Sequence, residues 1–497
     1  MTDKRHGRVF AQPIDRRAFL GGAAALGLAG PAFAQGSKTG VDAAKWTPEY
    51  IASIAGTESF DTAAECARVV PLNYTGRLTY WYFGPNQASP QLEHQIDAQF
   101  WEAFGKTYPN IKVTKQNLDY NSMLDKLRTA SIGKAAPMVA RLPILWGAEF
   151  AAKNMLMPFG PADISYGDEE FWPGALKSVT WKGKKYGVPT NNETMALIWN
   201  AALFKEAGLD PEKPPATWDD LVLYSKQIKD KTGKNGYGMV ARVNAGNTPF
   251  RFMPQLWAYG GGALDEAEAN PTYMAIHINN TGSRAALQAS YDMYVRDKSV
   301  PTSALTNTQT ENQDPFITGQ LAMMIAHPSE YASMMDRAKK ATGDDRKTAE
   351  AVVENMRYGL IPMGTARRAV VFGGSNAHLF NPDIVDGGMD VQAARAFTTF
   401  MTGPEWSTKM AWLNSNPGNT RGFRTKWMKE RLETIRFLNV TTSMLPNGIP
   451  FPVLPQSAEI MNIIVPGMLQ NALTRKMTVA AATDDAAKKI KDLLADL

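Results

Sequence analysis

The alternation of apolar and polar positions predicts repeated strand–helix–strand units from residue 78 onward. The run 78–83 is almost continuously apolar and is followed by Gly-Pro, which is typical of a strand buried on both faces. Apolar residues then recur at helical spacing over 96–104, and the alternation over 111–113 predicts a second strand. This order indicates an α/β domain built by crossover connections.

Residues typical of helix ends occur at several places in the rest of the chain. Thr217 to Asp220 forms an acidic capping box before an amphipathic stretch that ends at Gly233. Thr47 and Asp61 are predicted N-caps of two short helices that precede the main fold. The stretch 481–497 has the pattern of an amphipathic helix.

The first 34 residues have the three parts of a secretory signal. A basic start precedes the apolar run 18–34, which ends in the small-residue pattern Ala-Phe-Ala before Gln35. The segment 15–20, Asp-Arg-Arg-Ala-Phe-Leu, resembles the bacterial twin-arginine motif, whose pathway exports folded proteins. An ordinary signal with two basic residues is the alternative. Both interpretations predict a soluble periplasmic protein that begins at Gln35.

Composition and charge narrow the function classes. The chain has 497 residues, 44% hydrophobic and 20% charged, which predicts two to four globular domains. The net charge is +5, and five Lys or Arg against two Asp in residues 1–17 supply +3 of it. No nucleic-acid partner is therefore expected. The single cysteine, Cys66, excludes an intramolecular disulfide and a multi-cysteine metal site, and it is expected to be buried on a helix.

The sequence contains none of the common catalytic motifs. It lacks a Walker loop, a G-x-S-x-G turn and an H-E-x-x-H helix, and its five histidines are dispersed. We therefore expect no catalytic residue, no metal and no cofactor. A secreted glycoside hydrolase is the remaining enzyme hypothesis, because two carboxylates facing across a cleft leave no spacing signal. The segment Asp168 to Glu170 could supply such a pair of carboxylates. Its position before Phe171-Trp172-Pro173 instead indicates the N-terminus of a helix, where negative charge is favourable.

A series of motifs in the middle of the chain occurs in the order found in one known family. These motifs are Gly183–Pro189, Leu197–Asn200, Leu203–Leu209 and Pro214–Trp218, followed by Phe316–Met324 and Gly403–Glu405. The chain resembles the extracellular solute-binding proteins of ABC importers, in the carbohydrate-binding family that includes the maltose-binding protein. The resemblance extends from about Arg77 to the C-terminus.

The resemblance implies an α/β fold of the two-lobed periplasmic-binding-protein type. Each lobe is expected to be a mostly parallel sheet flanked by helices, with hinge crossings and a central cleft. The implied division is a twin-arginine signal peptide at 1–34, an N-terminal helical extension at 35–76, lobe 1 at 77–190 and 375–428, and lobe 2 at 191–374 and 429–497.

The family's ligand-binding positions imply a set of contacts in the cleft. Position by position, they fall on Phe83, Asn86, Tyr120, Arg141, Trp146, Asn191, Asn192, Glu193, Phe250, Trp257, Gly374, Ser375, Asn376, Asn419 and Arg421. The chain also departs from the family pattern, because His327-Pro328-Ser329 stands where relatives often have a tryptophan. This departure argues against transferring maltose specificity.

The implied function is capture of a solute without chemistry. The resemblance predicts a monomer that binds a sugar, oligosaccharide or polyol and delivers it to a membrane permease with a cytoplasmic ATPase. The alternative ligand is anionic, a phosphorylated polyol or an acidic sugar, because Arg141 and Arg421 are both predicted near the cleft and arginine pairs bidentately with anions.

Overall fold

A computed structural model of the chain describes residues 45–87, 89, 91–244 and 247–495. The predicted signal peptide, its cleavage site and residues 35–44 of the predicted extension lie outside these described residues. In the part described, no helix is both long enough and apolar enough to cross a membrane.

The strands of the described residues are short, and most have buried positions. In chain order they are β1 Gly76–Tyr82, β2 Ile111–Asn117, β3 Val139–Pro143, β4 Thr180–Trp181, β5 Lys184–Lys185, β6 Val188–Glu193, β7 Ala196–Asn200, β8 Asn235–Tyr237, β9 Leu321–Ala326, β10 Met356–Gly359, β11 Val370–Val371, β12 Gly373–Leu379, β13 Asn416–Pro417 and β14 Gly448–Ile449.

Helices cover these strands and form the connections between them. The α-helices are α1 Pro48–Ile54, α2 Thr62–Ala67, α3 Gln91–Thr107, α4 Tyr120–Ile132, α5 Gly147–Ala152, α6 Pro173–Ser178, α7 Ala201–Glu206, α8 Trp218–Thr232, α9 Asn247–Ala258, α10 Thr281–Tyr291, α11 Gln309–Ile317, α12 Pro328–Lys340, α13 Gly343–Glu354, α14 Val391–Thr402, α15 Pro404–Met410, α16 Lys426–Thr434, α17 Arg436–Ser443, α18 Ser457–Glu459, α19 Val465–Leu473 and α20 Val479–Leu493. Short 3₁₀ or π turns lie at Asp168–Glu170, Asp292–Arg296, Thr302–Leu305, Pro382–Ile384, Thr420–Arg424, Leu445–Asn447 and Ile460–Ile464.

Within the described ranges, one sheet has six strands in the order β13-β6-β12-β3-β1-β2. We call this sheet with its helices lobe 1. β1 pairs in parallel with β2 and β3, as the strand–helix–strand pattern predicts. β12 and β13 pair antiparallel with their neighbours. The sheet is therefore mixed rather than mostly parallel, because its later strands come from distant parts of the chain and are not joined by simple crossovers.

The other main sheet of the described residues has four strands in the order β10-β7-β9-β8, and we call it, with its helices, lobe 2. Only the β8–β9 pair is parallel, so this sheet too is mixed. β6 belongs to lobe 1 and β7 to lobe 2, and only two residues separate them. The chain therefore crosses between the lobes immediately after Glu193.

Each lobe has its own hydrophobic core. The lobe 1 core packs Phe100 and Phe104 of α3 against Phe397 and Phe400 of α14. The lobe 2 core lies on both faces of β7, with Leu197 and Trp199 in one cluster and Ile198 in another. Alternate strand positions reach opposite faces, so β7 must be apolar throughout to be covered on both sides.

The local signals read from the sequence are confirmed where the structure describes them. The hydroxyls of Thr47 and Thr217 accept hydrogen bonds from the backbone of α1 and α8, and the Asp61 carboxylate does the same for α2. Gly233 ends α8 in the left-handed conformation, with φ of 72°. Cys66 is fully buried on α2.

Candidate functional site

Three aromatic rings meet at the edge of lobe 1 where β1 and β3 end. Phe83 follows β1, Tyr120 begins α4 and Trp146 follows β3. The Tyr120 ring lies 5.4 Å from Phe83, edge-on, and 5.5 Å from Trp146, between ring centroids. Tyr120 is 47% exposed and Trp146 is 8% exposed. Together the rings form an apolar wall with Tyr120 as its accessible part.

A chain of polar side chains runs beside this wall. Arg141 in β3 donates from Nη2 to Oδ1 of Asn191 at 3.0 Å, and its guanidinium carbon lies 4.9 Å from the Phe83 ring centroid. Asn191 in turn donates from Nδ2 to Oε1 of Glu193 at 2.9 Å. In this series of hydrogen bonds each donor is matched to an acceptor, so Glu193 at its end acts as an acceptor.

His327 brings lobe 2 to the same carboxylate. Its Nε2 lies 3.3 Å from Oε2 of Glu193, and it reaches this position because Ala326, the last residue of β9, pairs with Ala196 of β7. Nδ1 of His327 accepts the backbone N–H of Ser329 at 3.2 Å. Because Nδ1 is an acceptor, the neutral ring carries its proton on Nε2, which faces Glu193.

Opposing influences act on the Glu193 carboxyl group. Burial alone would raise its pKa, but the nearby His327 and Arg141 and the hydrogen bond from Asn191 more than offset this effect. The net result is a lowered pKa. Glu193 therefore stays ionised at neutral pH and presents a hydrogen-bond acceptor.

A buried ion pair in lobe 2 supports His327. Arg251 in α9 donates to both carboxylate oxygens of Glu330 in α12, each at 2.6 Å. Oε2 of Glu330 also accepts the backbone N–H of His327 at 2.6 Å. Both partners of the ion pair are almost fully buried, so the start of α12 has a fixed position relative to α9.

Phe250 borders the group from the same helix as Arg251. It is half-buried and packs edge-on against Phe451 at 5.1 Å between centroids. A Cβ placed on Gly373 would lie 3.4 Å from Cβ of Glu193 and 3.4 Å from Cε1 of Phe250, so both side chains border Gly373. We call Phe83, Tyr120, Arg141, Trp146, Asn191, Glu193, Phe250 and His327 the candidate site.

Gly374 allows the backbone of β12 to approach the backbone of β6 closely where the chain crosses between the lobes. Its φ is 131°, and a Cβ there would lie 2.2 Å from the carbonyl oxygen of Asn191. Any other residue would push β12 away from β6. The predicted ligand contact at Gly374 therefore has a structural role, and only its backbone faces the crossing.

Three predicted contacts at the crossings are buried rather than accessible. Asn192 is 1% exposed and donates to the Pro417 carbonyl at 2.9 Å. Asn376 is 2% exposed, and its Nδ2 donates to Ser178 Oγ at 3.2 Å. Ser375 is also buried. Asn192 and Asn376 are hydrogen-bonded to other parts of the protein and Ser375 is enclosed, so these three residues lie outside the candidate site.

Asn419 and Arg421 are also directed elsewhere. Asn419 is fully buried and donates to the Glu170 carboxylate at 3.0 Å. Arg421 lies 3.4 Å from Glu170 and 3.6 Å from Glu65. The expectation that Arg421 joins Arg141 in holding an anion is corrected, because two carboxylates already neutralise Arg421.

Trp257 is a core residue of lobe 2 instead of an accessible stacking ring. It is fully buried, and its indole N–H donates to Oε1 of Glu266 at 2.9 Å. Glu266 also accepts the backbone N–H groups of Ala263 and Leu264. Burial raises the pKa of Glu266 to about 6 although these donors lower it.

Asn86 lies on the exposed loop after β1, apart from the polar chain. Its carbonyl contacts His94 Nε2 at 3.0 Å, and its backbone forms a turn with Ser89. The loop stands at the edge of the aromatic wall through Phe83, three residues earlier. Its role as a ligand contact stays a prediction.

The arrangement suits a ligand that has both an apolar face and hydroxyl groups. The exposed face of Tyr120 offers apolar surface, and Glu193 with Arg141 offers an acceptor and a donor. Among the described residues, no group of three His, Cys, Asp or Glu side chains is placed to hold a metal ion. The candidate site combines an exposed aromatic ring with a carboxylate acceptor and a guanidinium donor.

His327 is the site residue that sequence reasoning missed. The sequence shows its motif only as a departure from the family's tryptophan, and this departure predicts no function for the histidine. The usable signal was its position directly after the apolar run of β9 and before Pro328, because ligand sites in α/β folds lie where strands end.

Two mixed sheets joined by crossing strands, with side chains from both lobes meeting at the crossing, define a two-lobed binding protein. The chain belongs to the bacterial extracellular solute-binding protein family, whose model matches residues 89–408. This membership confirms the family resemblance found in the sequence.

Several individual proteins are similar to the chain. The sn-glycerol-3-phosphate-binding periplasmic protein UgpB of Shigella dysenteriae serotype 1 is 24% identical over 429 residues, which cover 81% of this chain and 90% of that protein. The GacH receptor of Streptomyces glaucescens, solved unliganded and with acarbose, has a TM-score of 0.67 at 22% identity, covering 85% and 100% of the two chains. UgpB of Mycobacterium tuberculosis, solved with glycerophosphocholine, has a TM-score of 0.67 at 16% identity, covering 85% and 99%. These structures confirm the predicted two-lobed fold.

Proposed function

We propose that the chain is the periplasmic substrate-binding protein of an ABC importer. It captures a sugar, oligosaccharide or polyol between its lobes and delivers it to a membrane permease driven by a cytoplasmic ATPase. The observation that carries this proposal is the candidate site, in which an accessible aromatic wall from lobe 1 adjoins a polar chain that ends at His327 of lobe 2.

Carbohydrate chemistry matches both halves of the site. A pyranose ring has an apolar C–H face that Tyr120 covers, and its hydroxyls both donate and accept. Glu193 accepts from a hydroxyl, and Arg141 donates to one. An unmatched buried polar group costs about 1–3 kcal/mol, so the site discriminates among hydroxyl arrangements.

The charge of the site favours a neutral ligand. Arg141 already donates to Asn191, and the chain continues to the Glu193 carboxylate, which repels an anion. Arg421, the second arginine of the anionic hypothesis, is paired with Glu65 and Glu170. A neutral polyol or sugar therefore fits the described groups better than a phosphorylated one.

An anionic or zwitterionic ligand is the second candidate. It is favoured by the glycerol-3-phosphate-binding and glycerophosphocholine-bound relatives. In this case Arg141 would release Asn191 and pair with the phosphate. The two candidates differ in whether the ligand carries a negatively charged group, so they are separable by experiment.

No bond is made or broken in the proposed function. Among the carboxylates considered for a hydrolase, Asp168 forms an ion pair with Lys185, and Glu170 accepts from Asn419. These contacts support structural roles for both groups. The fully buried His378 contacts the Tyr186 carbonyl through Nδ1, and burial lowers its pKa to about 4, which suits a neutral core histidine.

The remaining parts of the proposal concern location and assembly. We propose export by the twin-arginine pathway through Arg16 and Arg17, removal of residues 1–34, and action as a monomer in the periplasm. We also propose the division into lobe 1 at 77–190 and 375–428 and lobe 2 at 191–374 and 429–497, except that residues 191–193 of β6 and 373–374 of β12 belong to the lobe 1 sheet.

A thermal-shift screen tests the ligand class. The full chain is melted alone and with neutral sugars, neutral polyols, acidic sugars and glycerol phosphates. A ligand at 100 times its dissociation constant adds about 2.7 kcal/mol of stability, so a true ligand raises the melting temperature. We expect a shift from a neutral compound, and a smaller shift for Glu193→Gln at the same concentration. A shift produced by phosphorylated compounds alone favours the second candidate.

A further inference from the structure

The segment 45–60, which we call the N-terminal strap, precedes the two-lobed fold and packs against its hinge side. Its helix α1 is capped by Thr47, and Trp46 and Ile51 are buried at 5% and 1% exposure. These side chains share a hydrophobic cluster with Ile144 of the loop after β3 and with Phe372, which lies between β11 and β12. The strap is therefore part of the packed structure where the lobes join.

Trp46 is the central contact of the strap. Its ring packs edge-on against Phe423 and Trp172, with centroid distances of 4.8 and 5.1 Å. Its indole N–H donates to the carbonyl of Thr442 in α17 at 2.9 Å. In the predicted division, Trp172 and Phe423 belong to lobe 1 and Thr442 belongs to lobe 2. One side chain therefore touches both lobes.

The helix that receives this hydrogen bond is anchored in lobe 2. Phe437 of α17 packs in the core cluster that contains Ile198 of β7 and Met324 of β9. The hydroxyl of Thr194, between β6 and β7, donates to the Thr441 carbonyl. A displacement of lobe 2 must therefore carry α17 with it or break these contacts.

The other end of the strap is fixed to the segment that follows β13. The backbone N–H groups of Gly56 and Glu58 donate to the carbonyls of Thr425 and Arg424, each at 3.1 Å. The Glu58 carboxylate pairs with Arg424 at 2.9 Å. This end stays with lobe 1 in the predicted division.

A buried network links the strap to the crossing strand of the candidate site. The Thr442 hydroxyl donates to Oδ1 of Asn416 at 2.6 Å, and Arg431 donates to the same oxygen at 2.9 Å. Arg431 is fully buried, has no carboxylate partner among the described residues, and has a pKa lowered by burial to about 9. Asn416 in β13 pairs with Asn192 in β6.

We infer that the N-terminal strap limits the opening of the two lobes. Opening moves α17 away from lobe 1, and the strap resists this because Trp46 holds Thr442 while Gly56 and Glu58 hold the segment after β13. The strap therefore limits how far His327 can move away from Glu193 when the unliganded protein opens. The inference rests on the two-lobed fold and needs no ligand.

Electron–electron distance measurements between spin labels on the two lobes test the inference in the unliganded full chain. Ile132 of α4 is 76% exposed and Leu223 of α8 is 63% exposed, so Ile132→Cys with Leu223→Cys places one label on each lobe. Cys66 can remain, because it is fully buried and burial raises its thiol pKa to about 12.

Trp46→Ala is compared with Glu49→Ala, which changes an exposed residue of α1 three positions further along the strap. We expect Trp46→Ala to increase the population of long distances about fivefold or more, as a loss of one strong contact does. Glu49→Ala should match the parent chain. A distance distribution that Trp46→Ala leaves unchanged overturns the inference.

Trp46→Phe covers the case in which Trp46→Ala does not fold. It keeps a ring against Phe423 and removes only the hydrogen bond to Thr442. A folded Trp46→Phe protein with more long distances than Glu49→Ala supports the strap. If Trp46→Ala unfolds and Trp46→Phe folds with the distance distribution of the parent chain, the inference is overturned. The Trp46 contact would then contribute to stability alone.

Discussion

Replacing Trp257 tests whether this residue belongs to the core or to the ligand site. The ring is fully enclosed, and its N–H donates to the buried Glu266 carboxylate. Trp257→Phe keeps most of the packing and loses a hydrogen bond to a charged group, which costs about 1.5–3 kcal/mol. Trp257→Ala adds a cavity cost of about 3–5 kcal/mol. The sum approaches the whole stability of many proteins, about 5–15 kcal/mol.

Glu266 adds a pH signature to the same prediction. Its pKa in the folded protein is about 6, above its ordinary 4.5, so protonation favours the folded state. Stability due to this group is present below pH 4.5 and is lost as the pH rises through 6. Trp257→Phe removes one donor and raises the pKa further, so its deficit relative to the parent should grow between pH 5 and pH 7.5.

Urea unfolding at both pH values measures these differences, and calorimetry measures ligand affinity. Trp218→Phe is the matched control, because Trp218 is equally buried in lobe 2 and its indole N–H has no hydrogen-bond partner. We expect Trp257→Phe to lose stability with unchanged affinity and Trp218→Phe to lose less. Normal stability with at least tenfold weaker binding for Trp257→Phe would refute the core assignment.

Three further outcomes are expected. Glu193→Gln should weaken binding about 10- to 100-fold without loss of melting temperature, measured by calorimetry, because a charged acceptor is worth about 1.5–3 kcal/mol. Tyr120→Ala should weaken binding about tenfold, whereas Leu223→Ala, on the exposed face of α8, should not; equal effects would remove Tyr120 from the site. Replacing both Arg16 and Arg17 with Lys should leave the precursor in the cytoplasm. Cell fractionation that shows normal export of this double variant would contradict the twin-arginine assignment.

Element types and caps were predictable because they depend on local patterns. The apolar run at 78–83 predicts β1. The Thr217 capping box predicts the start of α8, because its side-chain hydrogen bonds join residues within one helical turn. The antiparallel insertion of β12 was not predictable from periodicity, since its pairing with β3 and β6 joins residues about 180 or more positions apart. Long-range pairing leaves no signature in a single window of sequence.

The candidate site was predictable in part. Phe83, Tyr120 and Arg141 come together because parallel strands end at one edge of the sheet, which is a topological rule. Trp257 was misplaced because an indole in an apolar helix suits both a core and a stacking site, and its partner Glu266 is nine residues away on a loop. His327 was missed because its contact with Glu193 depends on the antiparallel register of β7 and β9.

Small-angle scattering with and without ligand tests the central claim that a solute is captured between the two lobes, because a ligand that contacts both lobes favours a closed form. The compound is the one that gives the largest thermal shift, and calorimetry confirms saturation. We predict a smaller radius of gyration for the complex, and a smaller change for Glu193→Gln at a ligand concentration that only just saturates the parent protein, because closure follows ligand only if both lobes bind it. An unchanged radius in the saturated parent protein would contradict closure and favour a preformed site on one lobe.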